Sequence, residues 1–313
     1  MLVFVAGGSG AVGRPLVSRL ARAGHDVVAT TRSAERAQLV RDAGAEPVVV
    51  DAFDADAFRR AIVSAKPDVV VHQLTALAKP AADYASWLTD TNRLRGEVTA
   101  VLVDAAREAG ASRVVAQSAS FMTAPEEPDV LDEQAPLYFD APGPIHDHVV
   151  ATAAMEKTVT GTEGIDGAVL RYGFLYGPGT SYAPGQPFAE AVRTGRTPIV
   201  GEGSGRYHFV HIDDAAEATV RAIQQGATGI YNVVDDEPAL MREWVPYLAQ
   251  LMGGPAPRTV DEETAEREQG PQAVYYGNRL RGAANGKARR ELTWTPTYPT
   301  WREGFRVVFG SAS

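Results

Sequence analysis

No cysteine occurs in the 313 residues of this chain. That absence removes a disulfide framework, thiolate-bound zinc and thiol catalysis together. Excess positive charge is missing as well: 39 acidic residues oppose 30 lysines and arginines, giving a formal net charge of -9 at pH 7. Nucleic acid and anionic membranes are repelled by such a surface, so the expected partner is a small-molecule substrate. No apolar run approaches the ~18 residues of a membrane helix. No basic segment with a detached apolar stretch precedes "MLVFVAGG", which itself has the texture of a buried strand. The expectation is a cytoplasmic protein. Internal repeats, low-complexity tracts and charge blocks are absent, and the oligomeric state is left open.

What is present is a chain 45% hydrophobic and 22% charged, long enough for one large domain with a smaller companion. Apolar runs suited to buried parallel strands recur at 2–6, 26–30, 47–50, 68–72, 113–117 and 168–172. Between them, apolar residues fall at helical spacing, as in Val12, Leu16 and Leu20, or Val98, Leu102 and Ala105. This alternation predicts an α/β fold: a doubly wound parallel sheet with a smaller, irregular substrate-binding lobe. After Tyr172 the chain turns rich in glycine and proline, returns to helix and strand across "FVHIDDAAEATVRAIQQ" and "GIYNVV", then leaves again. The expected division is 1–172 plus 208–236 for the dinucleotide-binding domain, and 173–207 plus 237–313 for the second lobe.

"FVAGGSGAVGRPLVSRLARAGHDVVATTRS" places Gly7, Gly10 and Gly13 at three-residue spacing between a strand and a helix. Glycines in that context let the backbone approach a pyrophosphate and present free N–H groups to it. Ser9, Ala11 and Val12 belong to the same turn. Gly13 would also serve tight packing of helix on sheet. The end of the second strand carries no carboxylate for the ribose hydroxyls of NAD. It offers Thr31, Arg32 and Ser33 instead, which suit a 2'-phosphate. NADP(H) is therefore expected, with NAD(H) as the alternative and a solvated surface charge as the plain reading of Arg32. Asp51, followed by Ala52, is placed either for the adenine amino group or as a helix N-cap.

Further motifs are "TNRLRGEVTAVLVDAAREAG" with Asn92, "VVAQSASF", "VLRYGFLYGPGT", "RYHFVHIDDAAEA", "YNVVDDEP" and "KARRELTWTP". With the glycine turn they make the chain resemble the short-chain dehydrogenase/reductase family, in its extended and atypical branches that include nucleotide-sugar epimerases and dehydratases. The resemblance spans nearly the whole length. It implies that "HQLTAL" (72–77), with Leu74, Thr75 and Ala76, lies along the cofactor, that Ser118 or Ser120 faces a substrate carbonyl, and that Tyr172 to Leu175 border the nicotinamide.

The family's working pair is a tyrosine and a lysine four residues later, whose ammonium eases proton exchange by the phenol. The matching stretch here, "HDHVVATAAMEK", contains no tyrosine. Aligning on Lys157 puts Ala153 at the tyrosine place but crowds the lysine into the last helical turn. Aligning on Glu156 puts His148 and Thr152 at the two places, and is preferred. His148 is then a candidate acid, or simply a hydrogen-bonded histidine at the mouth of the helix. His146, Asp147 and His148 diverge on a helix, so no metal site is expected. Phe121, Met122, Tyr138, Tyr176 and Tyr207 are candidate pocket walls.

A general acid contributes roughly 3 to 5.5 kcal/mol, whereas positioning two reactants is worth about 7 to 11 kcal/mol. Hydride transfer thus survives loss of the tyrosine if the alkoxide is stabilised by Ser118, Ser120, His148 or a neighbouring substrate hydroxyl. The resemblance extends to ketoreductases of the simocyclinone 7-ketoreductase type, which reduce a carbonyl of an angucyclinone. The expected activity is an NADPH-dependent ketoreductase of antibiotic or polyketide metabolism with a bulky aromatic substrate. The alternatives are a nucleotide-sugar epimerase or dehydratase, and a non-catalytic NADP(H) sensor.

Overall fold

The computed structural model describes residues 1–76 and 84–310. Seven parallel strands form the central sheet: β1 (Leu2–Ala6), β2 (Asp26–Thr31), β3 (Glu46–Val49), β4 (Val69–His72), β5 (Arg113–Ala119), β6 (Asp166–Tyr172) and β7 (Gly229–Val233), in the order β7-β6-β5-β4-β1-β2-β3. The inner strands are continuous apolar runs because both faces are covered. Val3, Val5, Val70, Val71, Val114 and Val115 have almost no exposed surface. The third run differs from expectation: β3 spans 46–49 and is an edge strand, so Val49 is 52% exposed.

Helices α1 (Gly13–Arg22) and α7 (Ile212–Gln224) cover one face, burying Leu16, Val17, Leu20, Ala215 and Ile223. On the other face Phe58 and Ile62 of α3 (Ala55–Ala65), Leu102 and Val103 of α5 (Thr99–Glu108), and Met155 and Val159 of α6 (Pro144–Gly161) share a core. Asp214 clamps the C-terminal "WTPTY" onto α7, its carboxylate accepting from the amides of Thr297 (2.7 Å) and Tyr298 (3.1 Å).

The strand order reverses between β1 and β4, opening a crevice at their carboxyl ends, where open α/β sheets bind ligands. A third cluster, rich in aromatics, joins residues of 119–149, 174–209 and 239–309 around Trp244, Trp301 and Phe305. The long segment 121–144 is less free than expected of a loop. Val130–Leu131 pairs with Gly282–Ala283, and Asp129 holds both Arg281 (2.9 Å) and Arg206.

One local feature was not foreseen. Between α4 (Tyr84–Arg93) and α5, residues Leu94–Val98 form a π-helical turn. Such turns insert a residue into a helix and re-aim its side chains, frequently at functional sites.

Candidate active site

The crevice is lined by Gly7, Ser9, Gly10, Ala11, Val12, Thr31, Arg32, Asp51, Ala52, Leu74 and Thr75, all singled out in the sequence, and also by Arg36, Gln73, Gln117, Leu94 and Leu175. Gly7 takes a left-handed conformation (φ +92°), and a Cβ there would sit 2.8 Å from the Gln73 carbonyl oxygen. Its amide donates to Thr30 Oγ1 at 2.9 Å, and Ser9 Oγ donates to Thr31 Oγ1 at 3.0 Å, fixing the turn on β2. Helix α1 begins at this turn without a side-chain cap; the Arg14 amide donates to the Gly10 carbonyl (3.1 Å) and Pro15 has no N–H, so it is the amides of the turn leading into Gly13 that can meet a ligand. Gln73, one of the lining residues, has a buried Oε1 acceptor without a partner among the described residues. A glycine cradle, an uncapped helix start and an orphaned acceptor together fit a nicotinamide dinucleotide.

The other expected contacts are placed differently. Asp51 accepts from the Phe53 amide (3.1 Å), and the N-cap of α3 is Asp54, which accepts from Ala57 (3.0 Å). Ser33 precedes α2 (Ala34–Asp42) without a side-chain cap bond. Arg36, on that helix, donates to the Ser9 carbonyl at 3.1 Å. Ala76 is buried, its amide donating to Thr91 Oγ1 (3.3 Å), and Leu77 lies outside the described residues. Tyr172 does not border the crevice. Its ring is buried beneath the sheet, and its hydroxyl is shared with Thr219 (2.6 Å) and Gln73 (3.0 Å). Burial pushes that phenol up to about 12. The neighbour that does line the crevice is Leu175.

Helix α6 turns His148, Thr152 and Glu156 inward and leaves Lys157 exposed. Glu156 is committed: it accepts from Arg171 Nε (2.8 Å) and Nη2 (2.7 Å) and from Ser118 Oγ (2.9 Å). The hydroxyl hydrogen of Ser118 is therefore spent on Glu156 rather than offered to a carbonyl. Ser120, only 1% exposed, donates to the Tyr172 carbonyl at 3.0 Å. Both serines differ in this from their expected role.

His148 is held at both nitrogens. Nδ1–H donates to Asn92 Oδ1 at 2.5 Å, and Nε2 accepts from Arg95 Nη1 at 2.6 Å. Burial, with the adjacent Arg95 charge second, holds this imidazole well below its usual titration range. A neutral ring with Nε2 accepting has no proton to give there, so the candidate acid is removed. Arg95 Nη1 also donates to Thr152 Oγ1 at 2.9 Å. A guanidinium from the π turn thus stands beside the position of the family's lysine.

The third, aromatic-rich cluster supplies an aromatic wall. Phe121 stacks on Phe174 (4.3 Å between centroids), Phe174 packs on Tyr207 (4.7 Å), and Tyr207 on Trp244 (4.9 Å). Met122 and Tyr176 are core residues instead. Tyr176 is fully buried among Phe209, His211 and Phe305, and burial pushes its phenol far up. Tyr138 packs on Tyr275 (5.4 Å) beside a separate cavity of about 330 Å³. Gln73 and Phe174 fall inside the stretches 72–77 and 172–175 that the resemblance implied, whereas Arg36, Arg95 and Tyr276 were missed in the sequence. The only signal available was the position of Arg95 three residues after Asn92, which puts both near one helical face.

Sheet order, glycine turn and crevice define a Rossmann-type oxidoreductase scaffold. Residues 3–234 match the NAD dependent epimerase/dehydratase family, and the chain belongs to it. A 3-diazoavenalumate denitrifying reductase of Streptomyces is 46% identical over 304 residues, covering 97% of this chain and 99% of that protein. A 4-hydroxy-2-methyl-3-oxo-4-farnesyl-3,4-dihydroquinoline-1-oxide ketoreductase of Stigmatella aurantiaca is 28% identical, covering 81% and 74%. Among solved structures, the UDP-glucose 4-epimerase of Thermotoga maritima superposes with a TM-score of 0.77 at 19% identity, covering 99% and 97%. That likeness concerns the fold.

Proposed function

We propose that this chain is an NADPH-dependent reductase of specialised metabolism that delivers hydride to an electron-poor aromatic substrate, an aryl diazo compound in the first instance. The observation that carries this reading is the neutral, doubly bonded His148 where a proton donor would stand. The bound dihydronicotinamide supplies a hydride. An arenediazonium accepts that hydride and leaves as arene plus dinitrogen, a balance that asks no proton of the protein. The whole-length similarity to a denitrifying reductase supports the same choice.

Residues of the chain then bind, orient and exclude water. Gly7 and Gly10 admit the pyrophosphate to the backbone, while Leu94 and Leu175 border the inner crevice. The Phe121–Phe174 stack offers a flat wall to an arene. Reduction of an aromatic ketone is the second reading, favoured by the ketoreductase relative, with the proton coming from a neighbouring substrate hydroxyl. Epimerisation needs a base at the α6 face, where both nitrogens of His148 and the hydroxyl of Ser118 are already engaged.

The test is NADPH oxidation with 2-hydroxy-5-methylbenzenediazonium and a panel of aryl ketones, with dinitrogen release measured alongside. Turnover of the diazonium is expected, with kcat flat between about pH 6 and 8 because His148 does not titrate there. A fall in kcat through the imidazole range would return the proton to His148. Tight NADPH binding without any turnover would make the chain a sensor.

Preference for the phosphorylated cofactor rests on Arg32 and Arg36 at the crevice mouth and on the absence of a carboxylate after β2. Replacing both arginines by glutamate is expected to raise the NADPH KM about tenfold or more while NADH stays within about threefold. Equal losses for the two cofactors would remove the 2'-phosphate assignment.

A further inference from the structure

Arg95 is 7% exposed, yet among the described residues no carboxylate lies within ion-pair distance of it. A buried charge without a counter-charge is costly, and proteins retain one mainly where a ligand completes it. All the bonds Arg95 makes to described residues leave through Nη1, toward His148 and Thr152, both uncharged. Nε–H and the Nη2 hydrogens have no described acceptor. These are the edge that grips an oxyanion in a fork.

The charged and titratable groups around Arg95 come from three directions. On α6 are His148 and Glu156; on β4 is His72, held neutral by burial, its value lowered to about 4; across from them is Tyr276 of the second lobe. Glu156 spends its oxygens on Arg171 and Ser118 and makes no ion pair with Arg95; its charge acts on the guanidinium only from a distance, partly opposing the effect of burial. Burial lowers the Arg95 guanidinium to about 10, and it remains charged at neutral pH. Its chain neighbour Leu94 lines the crevice, and Tyr276 packs on Phe174 and Tyr207 of the aromatic wall. Arg95 is thus adjacent in the chain to a crevice residue and within electrostatic reach of a residue of that wall.

We propose that the free edge of Arg95 binds an oxygen anion carried on the aromatic substrate, an ionised phenol or a carboxylate, and so orients the ring for hydride transfer. The site does for the substrate oxygen, electrostatically, what the family's lysine does through its tyrosine. It rests on the reductase reading only in calling the ligand a substrate. A substrate whose hydroxyl is ionised beside the hydride acceptor needs no phenol from the protein.

The experiment uses the full chain saturated with NADP⁺ and three unreactive probes: 4-nitrophenol, benzoate and the neutral 4-nitroanisole. The absorbance of bound 4-nitrophenol reports its ionisation directly. The wild-type protein is expected to bind 4-nitrophenolate at least tenfold more tightly than 4-nitroanisole and to lower the apparent pKa of the bound phenol by about one unit or more. Arg95→Gln abolishes both effects with NADP⁺ affinity within threefold. Arg95→Lys keeps the pKa shift but loses the fork, so benzoate weakens more than nitrophenolate, and it decides the matter if the glutamine variant fails to fold. If benzoate competes and nitrophenolate does not, the anion is a carboxylate; the reverse assigns a phenolate. Equal affinity for nitrophenolate and nitroanisole together with no competition by benzoate, or anion binding that is the same in wild type, Arg95→Lys and Arg95→Gln, overturns the proposal. Anion preference without diazonium or ketone turnover would sink the reductase reading and leave the site standing.

Discussion

Gly13→Ala is expected to lower dinucleotide affinity at least a hundredfold and to destabilise the fold by about 1–3 kcal/mol. The added Cβ would lie 2.1 Å from the Gly7 carbonyl oxygen and 2.9 Å from Gly8 Cα. Both are backbone atoms of the turn itself, so no side chain can swing aside. Relief requires α1 to move away from β1, and that carries the uncapped helix start away from the crevice. Gly10→Ala is the internal comparison: its Cβ would meet the Gly7 oxygen at 3.2 Å, a contact that a small shift accommodates. NADPH titration by fluorescence and thermal melts separate the two. A Gly13→Ala protein that binds NADPH within threefold of wild type would mean that the turn does not cradle the cofactor.

Glu156→Ala should cost about 3–5 kcal/mol, because it leaves the Arg171 guanidinium charged and buried without its partner. The side chains of this pair are 5% and 4% exposed, 2.7 Å apart at the closest approach. The pair also ties α6 to β6 directly and to β5 through Ser118. Removing both charges together, as Glu156→Leu with Arg171→Met, is expected to recover most of the loss, since two apolar side chains there leave nothing stranded. Urea denaturation of the four proteins in the cycle measures it. Additive losses in the double variant would show that packing, rather than the buried charge, dominates.

Much of the fold was legible because parallel strands covered on both faces must be apolar throughout, as in "LVFVA" and "DVVVH". The edge strand β3 misled for the same reason, since "PVVV" looks buried while its outer row meets solvent. Glu156 turns inward to meet Arg171, a partner 15 residues on that its sequence position alone did not indicate. Tyr172 was misjudged because side chains alternate along a strand, and nothing in "VLRYGF" says which face its ring takes. Neither could the sequence show that Gln117, rather than the adjacent serine, lines the crevice. Arg95 stayed hidden for a different reason. Its partners lie 53 and 57 residues away, and the π turn that aims it leaves no pattern of apolar spacing.

The turn at Leu94–Val98 also constrains how this protein can change. Arg95 Nη1 already stands 2.9 Å from the side chain at position 152. A lysine introduced there would bring a second cation against a buried guanidinium, a repulsion of about 4 kcal/mol at a separation of about 4 Å and an effective dielectric constant of about 20. Thr152→Lys on its own is therefore expected to give a destabilised protein unless Arg95 is replaced with it. A second cation at position 152 and the arginine exclude one another on one patch of helix.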